Sequence, residues 1–274
     1  MIDLHLHTTA SDGRCTPAEL VDRAARAGLT VMAVTDHDTT AAVDEVSAAG
    51  RARGIEVIAG IEITAVENGR DVHMLGYFIN PADAQLSGFL ARQRAQRIER
   101  VTAVGDRLAQ LGMPIDVAPL LAVAKADGGR SIGRPQIAQA MIAAGYVADS
   151  NEAFDRWLAA GRPAFVPRAG PPPEDVIAIV HAAGGLVSLA HPGQTGVDPR
   201  ISAYAKAGLD ALEAYHPDHD RASTDRYREV ASQLTLLVTG GSDFHGDPSH
   251  GWEPGAVTLP EDAWRRLRDA APHG

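Results

Sequence analysis

The sequence predicts a parallel α/β barrel of the (β/α) type, interrupted by an inserted helical segment. Predicted strands and helices alternate over residues 1–80 and again over 165–274. The stretch between them, 81–164, contains no convincing strand. Several predicted strands are also followed by histidine and acidic residues, as is typical where the carboxyl ends of parallel strands meet. We therefore expect a metal-binding barrel formed by the two outer segments and a helical subdomain formed by the middle one.

The first half of the predicted barrel opens with a short strand over 2–7. Thr16 and Glu19 form a capping box around a proline at the first helical position, so a helix should begin there and end near Gly28. Asn68-Gly69 is a typical two-residue hairpin turn between two strands. The other elements expected here are a strand over 30–35, a helix over 40–53, and strands over 56–64 and 71–78.

The middle segment has helical periodicity, with apolar residues three or four positions apart at Ile98, Val101, Val104, Leu108 and Leu111. Shorter helices are expected over 116–126, 134–144 and 150–160. Alternation then resumes. The predicted helices lie at 174–183, 200–207, 221–232 and 261–270, and the predicted strands at 186–190, 210–215, 235–239 and 257–259.

Charge limits the kind of ligand. The chain has 25 basic and 35 acidic side chains, a net charge of −10, which argues against a protein that binds nucleic acid over its whole surface. Residues 92–134 nevertheless carry +4, which leaves −14 for the rest. A small basic region on an acidic body suits a small anionic ligand better than a long duplex. We interpret the arginines of 92–107 mainly as a solvated helix face.

The composition is that of a globular chain, and we expect a cytoplasmic protein that does not associate with membranes. No signal-peptide pattern opens the sequence, and no apolar run approaches the ~20 residues that span a bilayer. The single cysteine, Cys15, cannot form an intramolecular disulfide, and we assign it no catalytic task.

Potential metal ligands follow several of the predicted strands. His5 and His7 alternate on one strand, so both side chains point to the same face. The full set comprises His5, His7, Asp12, His37, Glu62, His73, His191, Asp243 and His245. Imidazole and carboxylate together suit Mn, Zn or Fe. His181, His250 and His273 are interpreted as ordinary surface or helix residues, whereas His216 and His219 could line the same mouth.

In this order, the motifs resemble the polymerase-and-histidinol-phosphatase (PHP) family of metal-dependent phosphoesterases. The matching motifs are His5-Leu6-His7-Thr8, Ser11-Asp12-Gly13, Thr35-Asp36-His37, Gly60-Ile61-Glu62, His73, Ala190-His191-Pro192 and Ser242-Asp243-Phe244-His245.

The resemblance implies a distorted seven-stranded barrel that holds two or three divalent ions, with manganese favoured over zinc, iron or magnesium. By that pattern, the first ion is held by His5, His7, Glu62 and Asp243. Glu62 bridges to a second ion, completed by His73 and His191. The third ion is held by Asp12, His37 and His245.

The same resemblance implies that metal-activated hydroxide attacks phosphorus, with His191, Asp243 and Glu62 as the catalytic residues. Either His191 or a metal-bound water could protonate the leaving oxygen. The loop 128–135, with arginines, glycines and a following helix start, is suited to grip a phosphate through Arg130, Ser131 and Arg134. His216 is a further candidate for substrate binding.

The inserted segment and its loop 128–135 resemble those of one branch of the PHP family. That branch removes the 3′-phosphate from nucleoside 3′,5′-bisphosphates, such as adenosine 3′,5′-bisphosphate. That branch also trims the 5′ ends of short oligonucleotides, which remains an alternative, and histidinol phosphate is a poorer match. A non-catalytic module that binds metal or nucleotide is a third possibility, although no expected ligand is missing. An amide hydrolase is a fourth, but neither Lys125 nor Lys206 follows a predicted strand, as the lysine of such barrels would.

Overall fold

A computed structural model describes residues 1–126, 129–247 and 251–272. Within them, seven strands form one sheet in the order β1 to β7. The strands are β1 Ile2–Asp3, β2 Val31–Val34, β3 Glu56–Glu67, β4 Arg70–Tyr77, β5 Leu186–Leu189, β6 Ala211–Tyr215 and β7 Leu237–Gly240.

The sheet curls until its two edges meet. Leu4 N–H donates to the Gly240 carbonyl oxygen at 3.2 Å, and His7 N–H donates to the Phe244 carbonyl oxygen at 3.0 Å. The result is a nearly closed seven-stranded barrel, which confirms the distorted barrel fold.

One strand runs against the predicted direction. β4 pairs antiparallel with both β3 and β5, while all other neighbouring strands are parallel. A wholly parallel barrel was therefore the wrong expectation. The reason is the tight turn at Asn68-Gly69, because two strands joined by two residues can pair only antiparallel.

Eleven α-helices lie within the described residues, and most coincide with predicted ones. Thr16 and Glu19 form the expected capping box at the start of the first helix, and Gly28 ends it in a left-handed conformation. The helices are α1 Pro17–Ala27, α2 Val43–Arg53, α3 Ala84–Gln110, α4 Ala118–Ala126, α5 Arg134–Ala143, α6 Ser150–Ala153, α7 Pro173–Ala182, α8 Pro192–Thr195, α9 Ile201–Lys206, α10 Arg221–Gln233 and α11 Glu261–Asp269.

The strand expected over 257–259 does not form. Leu259 N–H donates to the Ile2 carbonyl oxygen at 2.9 Å, but Pro260 follows and has no N–H to extend the pairing. Pro260 is instead the N-cap of α11.

Helices α3 to α6 share a hydrophobic cluster of their own, which includes Val104, Leu108 and Met141. This segment contacts the barrel at the ends of the strands. Ser131 N–H donates to the Ala10 carbonyl oxygen at 2.9 Å, and Gln136 Nε2 donates to the Ser11 carbonyl oxygen at 2.8 Å. The division of the chain into barrel and inserted subdomain stays a prediction.

None of the helices in the described ranges is long and apolar enough to cross a membrane. His250, His273 and Gly128, each interpreted above, lie outside the described residues.

Candidate metal centre and neighbouring cavities

The barrel brings the predicted metal ligands together at one mouth. Most of them follow parallel strands, whose carboxyl ends open there. His73 joins them from near the start of β4, because an antiparallel strand presents its amino-terminal half at the same mouth.

Four ligand atoms surround one point. Nε2 of His5 lies 3.3 Å from Glu62 Oε2 and 3.2 Å from Asp243 Oδ1, and Nε2 of His7 lies 3.2 Å from each of the same two oxygens. Ligands held tetrahedrally about 2.05 Å from one ion would be about 3.3 Å apart. These spacings therefore suit a single divalent ion.

Glu62 presents its two oxygens to different histidines. Oε2 faces His5 and His7 and also lies 3.1 Å from Nδ1 of His37. Oε1 lies 2.7 Å from Nδ1 of His73 and 3.2 Å from Nε2 of His191. The carboxylate is thus placed to serve two neighbouring sites.

A third group surrounds Asp12. Its Oδ1 lies 3.3 Å from Nε2 of His245, and its Oδ2 lies 3.5 Å from Nε2 of His37. His7 belongs to this group as well, so the groups overlap. His37 therefore lies between the Asp12 and Glu62 carboxylates. Of the acids Asp12, Glu62 and Asp243, His191 contacts only Glu62.

Burial and the attraction between carboxylates and imidazoles shift the pKa values of the predicted ligands in different directions. Burial alone would raise the pKa values of Glu62, Asp12 and Asp243, but the surrounding histidines hold all three well below their usual range. Burial lowers the pKa of His37 to about 3, against the pull of the nearby carboxylates. The carboxylates are therefore ionised and the His37 imidazole is neutral, which are the forms that bind cations. Against the effect of burial, the same carboxylates raise the pKa values of His5 and His7, and that of His245 to about 10, so a metal ion must displace protons from these three rings.

Several buried imidazole nitrogens make no well-directed hydrogen bond within the described residues, even where a carboxylate oxygen is close. They are both ring nitrogens of His7 and Nδ1 of His37, His73 and His191. Unpaired buried polar atoms are costly unless something compensates them. The donor set and its spacing thus fit divalent metal ions.

Two of these side chains project from strained backbone. His191 has φ 26° and Asp243 has φ 49°, both in the left-handed region that residues other than glycine rarely adopt. Such strain is typical of residues held in place for function.

Glu213, which the sequence reasoning missed, supports two of the predicted ligands from behind. Its Oε1 lies 2.9 Å from Nδ1 of His5, and its Oε2 accepts the His191 backbone N–H at 2.8 Å. The side chain is 0% exposed. The available signal was an acidic residue inside the otherwise apolar strand β6, because a buried charge needs a partner.

A cavity of about 190 Å³ adjoins the cluster, and we call it the arginine cavity. Asp12, His37 and His73 form one side of it. Four arginines form the other: Arg97, Arg100, Arg134 and Arg168.

Arg97 and Arg100 correct the interpretation of a solvated helix face. Only 11% of each side chain is exposed. Arg168, which the sequence reasoning did not single out, is buried as well. These side chains turn towards the barrel because they form ion pairs with two carboxylates there, the buried Asp38 and the partly buried Asp71.

The arginines are held by two aspartates. Asp38 accepts hydrogen bonds from Arg97 Nε at 2.5 Å and from Arg168 Nη2 at 2.7 Å. Asp71 accepts from Arg100 Nη1 at 3.3 Å and from Arg134 Nη2 at 3.0 Å.

Four guanidinium groups against these two carboxylates leave a charge of +2 on the arginine side of the cavity, and the Asp12 carboxylate lies on the side of the metal ligands. Two buried donors, Arg100 Nη2 and Arg168 Nε, have no partner among the described residues. This is the chemistry of an anion site.

The residues predicted to bind substrate are distributed over different places. Arg134 lines the arginine cavity, whereas Arg130 lines a second, larger cavity. Ser131 is 1% exposed and lines neither of the two. His216 also lines the larger cavity.

The side chain of His216 is held with its proton facing the metal ligands. Its Nδ1 accepts the Asp218 N–H at 3.1 Å, so the proton of a neutral ring resides on Nε2, 3.4 Å from Asp243 Oδ2. His219 instead bonds the Ala214 carbonyl oxygen, and His181 pairs with Asp210.

Comparison with known proteins agrees with this geometry. The PHP domain model matches residues 3–158, more than half of the chain. This chain belongs to the PHP domain family. The PHP match crosses the boundary predicted at residue 80, so it does not bear on the proposed division into domains.

Relatives of this PHP protein act on phosphate esters. A 5′-3′ exoribonuclease of Haemophilus influenzae is 35% identical over 250 residues, which cover 89% of each chain. A 3′,5′-nucleoside bisphosphate phosphatase of Chromobacterium violaceum is 31% identical over 97% of this chain and 96% of its own. The crystal structure of a candidate metal-dependent phosphoesterase from Bifidobacterium adolescentis superposes with a TM-score of 0.88 at 36% identity, over 97% of this chain and 94% of that one. The PHP protein described here is thus a metal-dependent phosphoester hydrolase.

Proposed function

We propose that this chain hydrolyses the 3′-phosphate of nucleoside 3′,5′-bisphosphates, such as adenosine 3′,5′-bisphosphate. The observation that carries the proposal is the arginine cavity beside the metal cluster. A substrate with one phosphate at the cluster and a second phosphate in the cavity would occupy both. The likeness to a bisphosphate phosphatase supports the same substrate class.

In this proposal, Arg134 holds the 5′-phosphate together with Arg97, Arg100 and Arg168. A phosphomonoester carries a charge of about −2, which the +2 on the arginine side of the cavity would balance. The unpaired donors Arg100 Nη2 and Arg168 Nε would then gain acceptors. Asp38 and Asp71 keep the guanidinium groups in position.

The nine predicted ligands, grouped around Glu62, Asp12 and Asp243, would hold two or three divalent ions, with manganese the first to test. With such ions bound, the cluster would supply a water molecule of lowered pKa and positive charge beside the phosphoryl oxygens. His216 would donate its Nε2 proton to a phosphoryl oxygen near Asp243. His191 is the candidate that protonates the leaving 3′-oxygen.

The decisive experiment is phosphate release from a panel of nucleoside mono- and bisphosphates, with Mn, Mg and Zn compared. Arg134→Ala should raise KM for the bisphosphate roughly 10- to 100-fold, since it loses charge-assisted hydrogen bonds to a buried phosphate. Its effect on p-nitrophenyl phosphate, which has no second phosphate, should be much smaller. Arg156→Ala, an exposed arginine, is the matched control. Equal losses on both substrates would refute the role of Arg134.

A second candidate function is 5′→3′ trimming of short 5′-phosphorylated oligonucleotides. The larger cavity favours it, because it leaves room beyond the cluster for more than a terminal phosphate. The likeness to an exoribonuclease points the same way. A 5′-phosphorylated pentanucleotide that remains uncut would exclude this activity.

A further inference from the structure

The second cavity, which we call the wide cavity, has a volume of about 520 Å³, within the usual range of sites for ligands of nucleotide size. Asp243, His245 and His216 face it. The arginine cavity, by contrast, is faced by His37 and His73. Asp12 is shared, so the metal cluster lies between the two cavities.

This arrangement directs a bound substrate. Suppose that a 5′-phosphate occupies the arginine cavity and the next phosphorus lies at the cluster. Any further substituent on that phosphorus must then extend away from the arginine cavity, on the other side of the cluster. The wide cavity is the space available there. A bisphosphate has no such substituent, whereas an oligonucleotide carries its second nucleotide at this point.

Trp252 stands on the wall of the wide cavity and is 43% exposed. Large aromatic side chains are usually well buried, so an indole exposed beside a catalytic cluster suggests a ligand with an aromatic face. Every nucleobase offers such a face.

The other groups on the wall suit a base and ribose better than a phosphate. Asp155 and Asp218 carboxylates can accept hydrogen bonds from base amines and ribose hydroxyls, but would repel a phosphate. Arg130 is a cation on the same wall, and Arg14 is already paired with Asp247. The chemistry thus matches a nucleoside followed by one further phosphate.

We propose that the wide cavity binds the second nucleotide of a 5′-phosphorylated oligonucleotide, with Trp252 stacked on its base and Arg130 contacting the phosphate that follows. This inference rests on the proposed function. Water oxygen forms the new bond to phosphorus, the bond to the 3′-oxygen of the first nucleotide breaks, and that oxygen takes up a proton. The first nucleotide leaves as a 5′-monophosphate, and the shortened chain keeps the phosphate as its new 5′ end.

The test compares kcat/KM of the manganese-loaded full chain for a 5′-phosphorylated trinucleotide and for adenosine 3′,5′-bisphosphate. Trp252→Ala should lower the ratio of trinucleotide to bisphosphate activity about 10-fold or more, because it removes a stacking partner. Trp252→Phe should restore most of that ratio. Leu111→Ala, which removes an equally exposed apolar side chain away from both cavities, should leave the ratio as it is.

Arg130 and Arg134 provide a second comparison, because they are four residues apart but lie on different cavities. Arg130→Ala should lower the same ratio, whereas Arg134→Ala should impair both substrates and leave the ratio near that of wild type. A ratio unchanged in Trp252→Ala, or one that falls equally in Leu111→Ala, would overturn the inference.

A binding measurement separates this inference from the proposed function. A trinucleotide with phosphorothioate linkages should quench the tryptophan fluorescence of the wild-type chain, and the quench should be lost in Trp252→Phe. If the chain cleaves neither substrate, the proposed function fails, while the quench still reports whether the wide cavity binds a base. Equal quenching in wild type and Trp252→Phe would overturn the inference independently of activity.

Discussion

The carboxylate of Glu213 lies 2.9 Å from Nδ1 of His5, on the opposite side of the ring from the Nε2 atom that faces Glu62 and Asp243. The pair is fully buried. A carboxylate in this position keeps the proton on Nδ1 and leaves Nε2 free to bind a cation. It thus determines both the tautomer and the orientation of His5.

Replacing Glu213 should therefore weaken the metal centre without removing any ligand. We expect Glu213→Gln to lower the affinity for manganese about 10- to 100-fold, because one amide oxygen cannot accept from both His5 and the His191 backbone. Isothermal titration of the metal-free chain measures this. Glu229→Gln, an exposed change on α10, is the control. Affinities equal to wild type in both variants would contradict the role of Glu213.

Glu62→Gln should have a larger effect, because the two Glu62 oxygens face different histidines. We expect fewer bound ions per chain by elemental analysis. The rate of phosphate release should fall more than about 100-fold, because substitutions of residues that only support a ligand already cost up to about that much. The control is Glu56→Gln, at the exposed start of the same strand, which should retain the metal content and the activity of wild type. Full metal content in Glu62→Gln would show that Glu62 does not bridge two sites.

Gly241, the residue after β7, permits close packing of the chain against the His5 backbone. A Cβ atom added there would lie 2.4 Å from the His5 nitrogen, and backbone cannot move aside cheaply. Gly241→Ala should therefore lower the free energy of unfolding by about 1–3 kcal/mol. Gly88→Ala, in the helix α3, meets only Arg92 Nη1 at 3.8 Å and should stabilise by about 0.5–1 kcal/mol. Urea unfolding of both variants checks this, and equal midpoints would contradict it.

Asp38 should give the fold a measurable dependence on acid pH. Burial alone would raise its pKa, but Arg97 and Arg168 hold the pKa below the ordinary 3.8. The unfolded chain therefore takes up a proton at higher pH than the folded chain, so the stabilisation is complete above pH 3.8 and is lost as the pH falls through the folded pKa.

The variant Asp38→Asn should cost about 3–5 kcal/mol at neutral pH, because it leaves two guanidinium groups without their shared carboxylate. The difference from wild type should shrink below pH 3.8. Unfolding of metal-free protein across this pH range measures it, with Asp106→Asn on the exposed face of α3 as the control. A difference that is constant with pH would show that Asp38 is not ionised in the fold.

Most of the metal centre could be predicted because its residues lie in short local patterns. His5 and His7 alternate on a strand, and Asp243 and His245 follow another, so the chain order of motifs alone pointed to a shared site. The anion site could not be predicted as completely. Arg97, Arg100 and Arg168 come from a long helix and a proline-rich connection, and nothing local distinguishes them from solvated arginines. Their burial depends on Asp38, in the turn after β2, and on Asp71 in β4, both distant in sequence.

The sequence by itself determined the alternation of strands and helices, the helical character of the middle segment and the residue types available for metal binding, since these depend on local periodicity and capping. Only the tertiary structure decided that β4 also pairs with β5 and brings His73 to the mouth. It also decided that Arg130 and Arg134 face different cavities and that Glu213 stands behind His5. These relationships depend on barrel closure, which joins residues as far apart as His5 and Asp243 in three dimensions. Local propensity carries no information about such contacts, because their free energy arises only when the distant segments pack together.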